Sequence, residues 1–304
     1  MKPTSHCILW SDDEGCVVIK AEQRKFCVSR HLLAFHSPIF ASMFELATGN
    51  EVELLEDGHE EVTVFLRALL DPRYSAPLDF EDALGILRLA HKYDVPFLVE
   101  RAIIHLESIY PTTLAHAVHP TILADVVGEF NFWAVDVFKR IGAVWLLPSA
   151  YFSISVEPWS NYRERFSLEI QEMALRVQVF NMQNSIRLLE VITSESLCDC
   201  RVECDYHKQK AIHLFIQNGA RDFNFLRQWD ALSWQKLDEA LCAQCFQTVQ
   251  LRYQQRLDEM WKELPGVCTM GSWEDLTKKR VDYFRDLHEC VKQRSEAEYT
   301  RVGI

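Results

Sequence analysis

Glycine and proline are scarce, ten of each in 304 residues. Both supply the backbone geometry of tight turns, so the chain reverses direction rarely, which points to helices and away from an all-β sandwich. Long apolar runs are missing as well. The longest, residues 141–147 and 150–156, fall far short of the roughly 18 residues a membrane-crossing helix needs. The first residues run quickly into Ser11-Asp12-Asp13-Glu14 without the apolar core of an export signal, and no Asn-x-Ser/Thr acceptor occurs. The expectation is a chain of the cytoplasm or nucleus, whose ten cysteines are reduced thiols or metal ligands rather than disulfides. Positive charge is in deficit: 32 basic against 44 acidic side chains give a net charge of -12, which offers no general field for a phosphate backbone. No nucleic-acid or membrane partner is expected.

The usual chemical fingerprints are absent too. No Gly-x-Gly-x-x-Gly, Gly-x-x-x-x-Gly-Lys, Gly-x-Ser-x-Gly or His-Glu-x-x-His occurs. Carboxylate runs such as Asp12-Asp13-Glu14 and residues 51–61 have the look of solvated loops and helix faces, so an enzyme is not expected. What the chain does have is an ordinary globular composition, 48% apolar and 25% charged, and a length suited to about two domains.

In the first third, Cys16-Val17-Val18-Ile19-Lys20-Ala21 and Lys25-Phe26-Cys27-Val28 are β-branched or aromatic runs separated by Glu22-Gln23-Arg24, the pattern of a hairpin. Ser37-Pro38 offers an N-cap followed by proline at the first helical position, with Ile39, Phe40, Met43 and Phe44 one turn apart. Val52-Glu53-Leu54-Leu55 predicts a further strand, and Val62, Phe65, Leu66 and Leu69 share one helix face. Residues 80–93 repeat the helical pattern through Ala83, Ile86, Ala90 and Tyr93, and Pro96 opens another helix through Leu106.

Two strands, two short helices, a strand and three helices, carrying Phe26-x-Val28, Leu33-Ala34, Ser37-Pro38-x-Phe40 and Met43-Phe44, resemble the BTB/POZ domain over residues 12–110. Leu87-Arg88-Leu89-Ala90-His91-Lys92-Tyr93 and Tyr110-Pro111-Thr112-Thr113 are similar to the fungal variant, in which a helical tail follows. The resemblance implies an α+β fold, a small sheet covered by helices, followed by a mostly α-helical region over residues 111–304. It implies a non-enzymatic protein-interaction module that self-associates as a homodimer or docks a partner, with Val17, Ile19, Leu32, Leu33 and Phe35 as contact candidates. It also implies an alternative, a substrate adaptor of a cullin-type ubiquitin ligase, through Met43-Phe44-Glu45. Cys16 and Ser29 stand where the family usually carries Asp and His, so no charged corepressor pocket is implied, and His31 and His36 are not in the matching place.

In the rest of the chain the cysteines depart from background. Cys198-x-Cys200-x3-Cys204-x2-His207 is followed about forty residues on by Cys242-x2-Cys245, so five of the ten cysteines lie within residues 198–245. Zinc prefers four such ligands, and two segments tied by thiolates would gain folding free energy where the core is thin. A structural zinc held by Cys198 or Cys200, Cys204, Cys242 and Cys245, with His207 in reserve, stands beside ordinary core or loop thiols, a redox function and a zinc-dependent regulator or catalyst. The spacing of Trp234, Leu237, Leu241 and Cys245 predicts one helix carrying both Cys242 and Cys245. Helical patterns also cover residues 122–127, 135–147, 164–189, 233–261 and 273–291. Within them Phe166, Ile170, Ala174, Val177, Val179, Ile186 and Leu189 form an expected apolar face, Pro148 a break, and Leu264-Pro265-Gly266 a turn. Trp133, Trp145, Trp159, Trp229, Trp234, Trp261 and Trp273 are expected to anchor helix packing, and Lys278-Lys279-Arg280 to lie on a solvated helix face.

Overall fold

The computed structural model describes residues 7–9, 15–47, 49–54, 56–71, 79–118, 128–156, 167–217, 224–226, 229 and 231–302. Asp12-Asp13-Glu14, Leu55, residues 122–127, Trp159, and Glu164 with Phe166 lie outside them. The chain divides into two compact units, one of Met1–Glu107 with Asp282–Ile304 and one of Ser108–Val281. The end of the chain, from Asp282, groups with the first unit.

The first unit begins with a four-stranded sheet. Strands β1 (Cys7–Leu9), β2 (Cys16–Ala21), β3 (Arg24–Ser29) and β4 (Glu51–Leu54) lie in the order β1-β3-β2-β4. β2 and β3 form the antiparallel hairpin, while β1 on β3 and β4 on β2 are parallel. The register sets Val17 opposite Val28 and Ile19 opposite Phe26. Because side chains alternate across a strand, one face carries Val17, Ile19, Ala21, Phe26, Val28, Val52 and Leu54, all buried. β1 lies in a segment for which the sequence pattern predicted no strand.

Helices α1 (Arg30–His36), α2 (Pro38–Leu46), α3 (His59–Leu70), α4 (Phe80–Lys92) and α5 (Pro96–Ile109) complete the unit. Ser29 caps α1, and Ser37 caps α2 by accepting from the Phe40 N–H at 3.1 Å, with Pro38 in the first turn. α3 and α4 approach closely at Gly85, where a Cβ would come within 3.3 Å of the Glu61 side chain. Between them sits a polar cluster in an otherwise apolar interior. The Asp57 carboxylate is fully buried and accepts from Lys92 Nζ at 2.9 and 3.0 Å, from Arg88 Nη2 at 3.1 Å and from the Tyr93 hydroxyl. Arg88 also grips Glu61 through Nε at 3.1 Å. Tyr93 stacks on Phe40 at 4.4 Å between ring centres and leans on Phe65 at 5.8 Å, while its backbone carbonyl accepts from the Ser37 hydroxyl. One side chain thus joins α2, α3 and the end of α4. From Asp282 onward the last helix, α13 (Trp273–Val302), returns along this unit. His288 faces Glu100 at 3.0 Å beside a pocket of about 270 Å³ lined by Pro96, Val99, Tyr283 and Leu287.

The second unit is helical: α6 (Leu114–Ala117), α7 (Gly128–Ile141), a 3-10 turn (Val144–Leu146), α8 (Leu147–Ser155), α9 (Leu168–Thr193), α10 (Arg201–Gln217), α11 (Ala231–Ala240), α12 (Ala243–Val267) and the start of α13 (Trp273–Val302). α8 is buried on every side. Its serines bond within the protein, Ser153 to the Ser149 carbonyl at 3.1 Å and Ser155 to the Phe152 carbonyl at 2.7 Å. Among the described residues, no helix is long and apolar enough to cross a membrane.

Four sequence expectations need correction. Pro148 does not break a helix; it lies in the first turn of α8, where no N–H is needed, and the break comes at Gly142 with φ +82°. Val179 and Ile186 are exposed, because the inward face of α9 runs through Ile170, Ala174, Val177, Asn181, Asn184 and Leu188. Residues 233–261 form two helices rather than one, parted at Leu241-Cys242. Leu264-Pro265-Gly266 is not the turn: α12 runs through it to Val267, and the reversal uses Thr269 at φ +58° and Gly271 at φ +88°. Pro265 cannot donate to the Trp261 carbonyl one turn back, and that carbonyl instead accepts from the Trp273 indole N–H at 2.7 Å. The two indoles stack at 5.0 Å.

Two stability effects follow. Asp57→Ala should cost the first unit about 3 to 5 kcal/mol, since it strands Lys92 and the Tyr93 hydroxyl, and Tyr93→Phe about 2 kcal/mol. Denaturant unfolding of the full chain checks both; wild-type midpoints would show that the cluster contributes nothing. At the Pro265 position, Trp273→Phe should cost about 1 kcal/mol in the wild-type chain and clearly less in a Pro265→Ala background, where a new N–H serves the Trp261 carbonyl. Equal costs in the two backgrounds would contradict this coupling.

Candidate functional site

Two places stand out, one on the surface of the first unit and one inside the second. On the first unit, α1 and α2 turn apolar side chains outward. Phe35 is 61% exposed, Leu32 43% and Ile39 41%, and Leu46 at the end of α2 is the most exposed of the group at 84%. The Phe35 ring meets His36 at 5.1 Å, and His36 meets Phe97, also exposed, at 5.4 Å, which carries the apolar row onto the first turn of α5. Partial burial holds the His36 imidazole below its ordinary pKa of 6.5, so the row is uncharged at neutral pH. Residues 32–39 contain no carboxylate, on a chain whose net charge is -12.

The structure separates the expected contact residues into two groups. Val17, Ile19, Leu33 and Phe44 are buried in the monomer core and are not available to a partner. Leu32 and Phe35 are exposed, Met43 is half-buried and Glu45 is exposed. Phe44 stacks on Phe40 at 5.9 Å, with the Arg30 guanidinium 5.1 Å from its ring centre. Sequence reasoning passed over Ile39 and Leu46 as contact residues because helical spacing assigned the first to the core and said nothing of the second. Phe97 gave no signal beyond following Pro96. His31 is exposed, and Cys16 and Ser29 end the hairpin as a cross-strand pair.

Inside the second unit, the chain brings together thiols from two segments. Cys198 lies in the loop after α9 and Cys204 in the first turns of α10; Cys242 is the N-cap of α12 and Cys245 lies in its first turn. The Sγ atoms of these four lie within 4.8 Å of one another, with Cys204 and Cys245 buried. Cys245 Sγ is 3.2 Å from Cys198 Sγ. Cys200 sits at the edge, exposed, 3.6 Å from Cys198 and 3.7 Å from Cys204. His207 is not in the group; its ring lies against Tyr206 at 5.4 Å.

The electrostatics of the cluster are uneven. The Cys242 thiol is pulled down to about 6, first by the backbone N–H of Cys245 at the helix start and then by the neighbouring thiols, against the opposing effect of burial. Cys198 is pushed up, chiefly through its hydrogen bond with Cys245 and then by burial. Cys242 outside the helix is a correction to the single helix expected over these residues. The local reason is that an N-cap needs an extended backbone, here φ −67° and ψ 152°, which α11 cannot continue through.

Comparison with known proteins bears on the first unit. A search of the curated proteins finds no match to the chain. Residues 13–110 match the BTB/POZ domain family. With the small sheet, its covering helices and this match together, the chain carries a BTB/POZ domain, a protein-interaction domain, over residues 13–110, and its remainder is mostly helical.

Proposed function

We propose that the chain acts as a non-enzymatic protein-interaction module whose BTB/POZ domain pairs with a second copy of itself through the α1–α2 face. The observation that carries this reading is the exposed row of Leu32, Phe35 and Ile39, uncharged on a strongly acidic chain. Two acidic molecules repel wherever their charged surfaces meet, so an uncharged patch is the place where self-contact costs least. A two-fold pairing sets the same patch on both sides and needs no complementary partner surface. A stable interface takes about 800 Å² from each partner, which draws in the flanking Met43, Leu46 and Phe97. Light scattering on the size-fractionated full chain at micromolar concentration should give a dimer, and Phe35→Asp should give a folded monomer. A monomeric wild-type chain, or a Phe35→Asp dimer, removes this reading.

The second reading, an adaptor that docks a cullin scaffold, is favoured by the exposure of Glu45 and Leu46 at the end of α2 and the half-exposure of Met43. Capture of the full chain on an immobilised cullin N-terminal region should then fall at least about tenfold with Glu45→Ala or Met43→Ala, the effect of losing roughly 1.4 kcal/mol of binding. Equal recovery of wild type and variants would leave Met43 and Glu45 as ordinary helix residues.

A further inference from the structure

We propose that Cys198, Cys204, Cys242 and Cys245 form a structural zinc site in which all four ligands are thiolates. The first support is distance. A tetrahedral zinc with Zn–S bonds of about 2.3 Å places its sulfurs about 3.8 Å apart. The four Sγ atoms, all within 4.8 Å of one another, enclose a space that a single ion fills after shifts of about 1 Å or less. The Cys198–Cys245 separation, 3.2 Å, is well beyond the ~2.05 Å of a disulfide. Four sulfurs gathered around one centre also differ from scattered core cysteines, each of which packs as a small hydrophobe on its own.

The second support is what the site would hold in place. Among the α10 residues whose burial is described, 201–213, only Cys204 and Lys208 are buried. Over that stretch the helix gains little from burial, so apolar packing alone holds its first turns weakly. Lys208 adds one bond, to the Ser194 carbonyl at 2.7 Å. A metal bridging Cys204 to Cys242 and Cys245 would fasten the start of α10 to the start of α12, where side-chain packing does not.

The third support is charge. Binding holds all four cysteines as thiolates: with one zinc ion they give a tetrathiolate of net charge −2, and each thiol still protonated releases its proton to solvent with no change of oxidation state. That dianion would sit at the N-terminal turns of both α10 and α12, where backbone N–H groups point outward and the helix ends carry partial positive charge. With four protein ligands, two of them buried, no coordination position remains open for substrate, so the site is structural rather than catalytic. Cys200, exposed and outside the set, is not a ligand.

The full chain, purified in the presence of zinc and then dialysed against chelator-free buffer, should carry about one zinc per molecule by elemental mass spectrometry. Cys204→Ser and Cys245→Ser should lose it, and Cys200→Ser should keep it. Because either ligand variant can fail to fold, the wild-type chain supplies a separate readout. Stripped of zinc and titrated with cobalt(II), it should develop thiolate-to-metal charge-transfer bands and the strong visible bands of tetrahedral cobalt, saturating at one equivalent and bleached by added zinc. A wild-type chain that takes up neither metal, one that holds iron instead, one with Cys198 and Cys245 disulfide-linked, or full zinc retention in Cys245→Ser overturns the proposal.

Discussion

The first unit depends on how one phenol is held. Tyr93 ends α4, stacks on Phe40, leans on Phe65, donates its hydroxyl to the buried Asp57 and offers its carbonyl to Ser37. A buried carboxylate is costly unless its oxygens are occupied, and here Lys92, Arg88 and Tyr93 occupy them. A buried serine hydroxyl carries the same constraint, and Ser37 meets it while also capping α2. These bonds have direction as well as strength, so they fix where α2 lies against α3 and α4 in a way that apolar packing alone would leave looser.

That fixing has a consequence at the surface. With Phe40 and Phe44 turned inward to meet Tyr93 and Arg30, the opposite side of the same helix and of α1 is left with Phe35, Leu32 and Ile39 facing out. These side chains carry no charge that would have to be desolvated on being covered.

How much of this the sequence disclosed follows from how local each signal is. The hairpin, the Ser37-Pro38 helix start and the inward row of Val62, Phe65, Leu66 and Leu69 depend on neighbours within one turn or one strand, and they appear in the structure as expected. The grouping of Asp57 with Arg88, Lys92 and Tyr93 depends on residues more than thirty positions apart and left no periodic trace. Pro265 misled because proline usually ends a helix, and only the Trp273 indole, eight residues on, reveals how its missing donor is offset. Val17 and Ile19 had the look of interface residues only while the burial of that sheet face was unknown. The thiol spacing pointed to a shared centre, whereas the exclusion of His207 and the marginal place of Cys200 needed coordinates.

The pairing proposed above would cover the α1–α2 face with a second copy of this chain. Hydrogen exchange of the full chain, compared between dilute and concentrated solution, tests it most directly, because it locates protection along the backbone. Amides of residues 30–46, and of the first turn of α5, should gain protection on concentration while the sheet is unchanged. Protection gained elsewhere in the unit with residues 30–46 unaffected would contradict it.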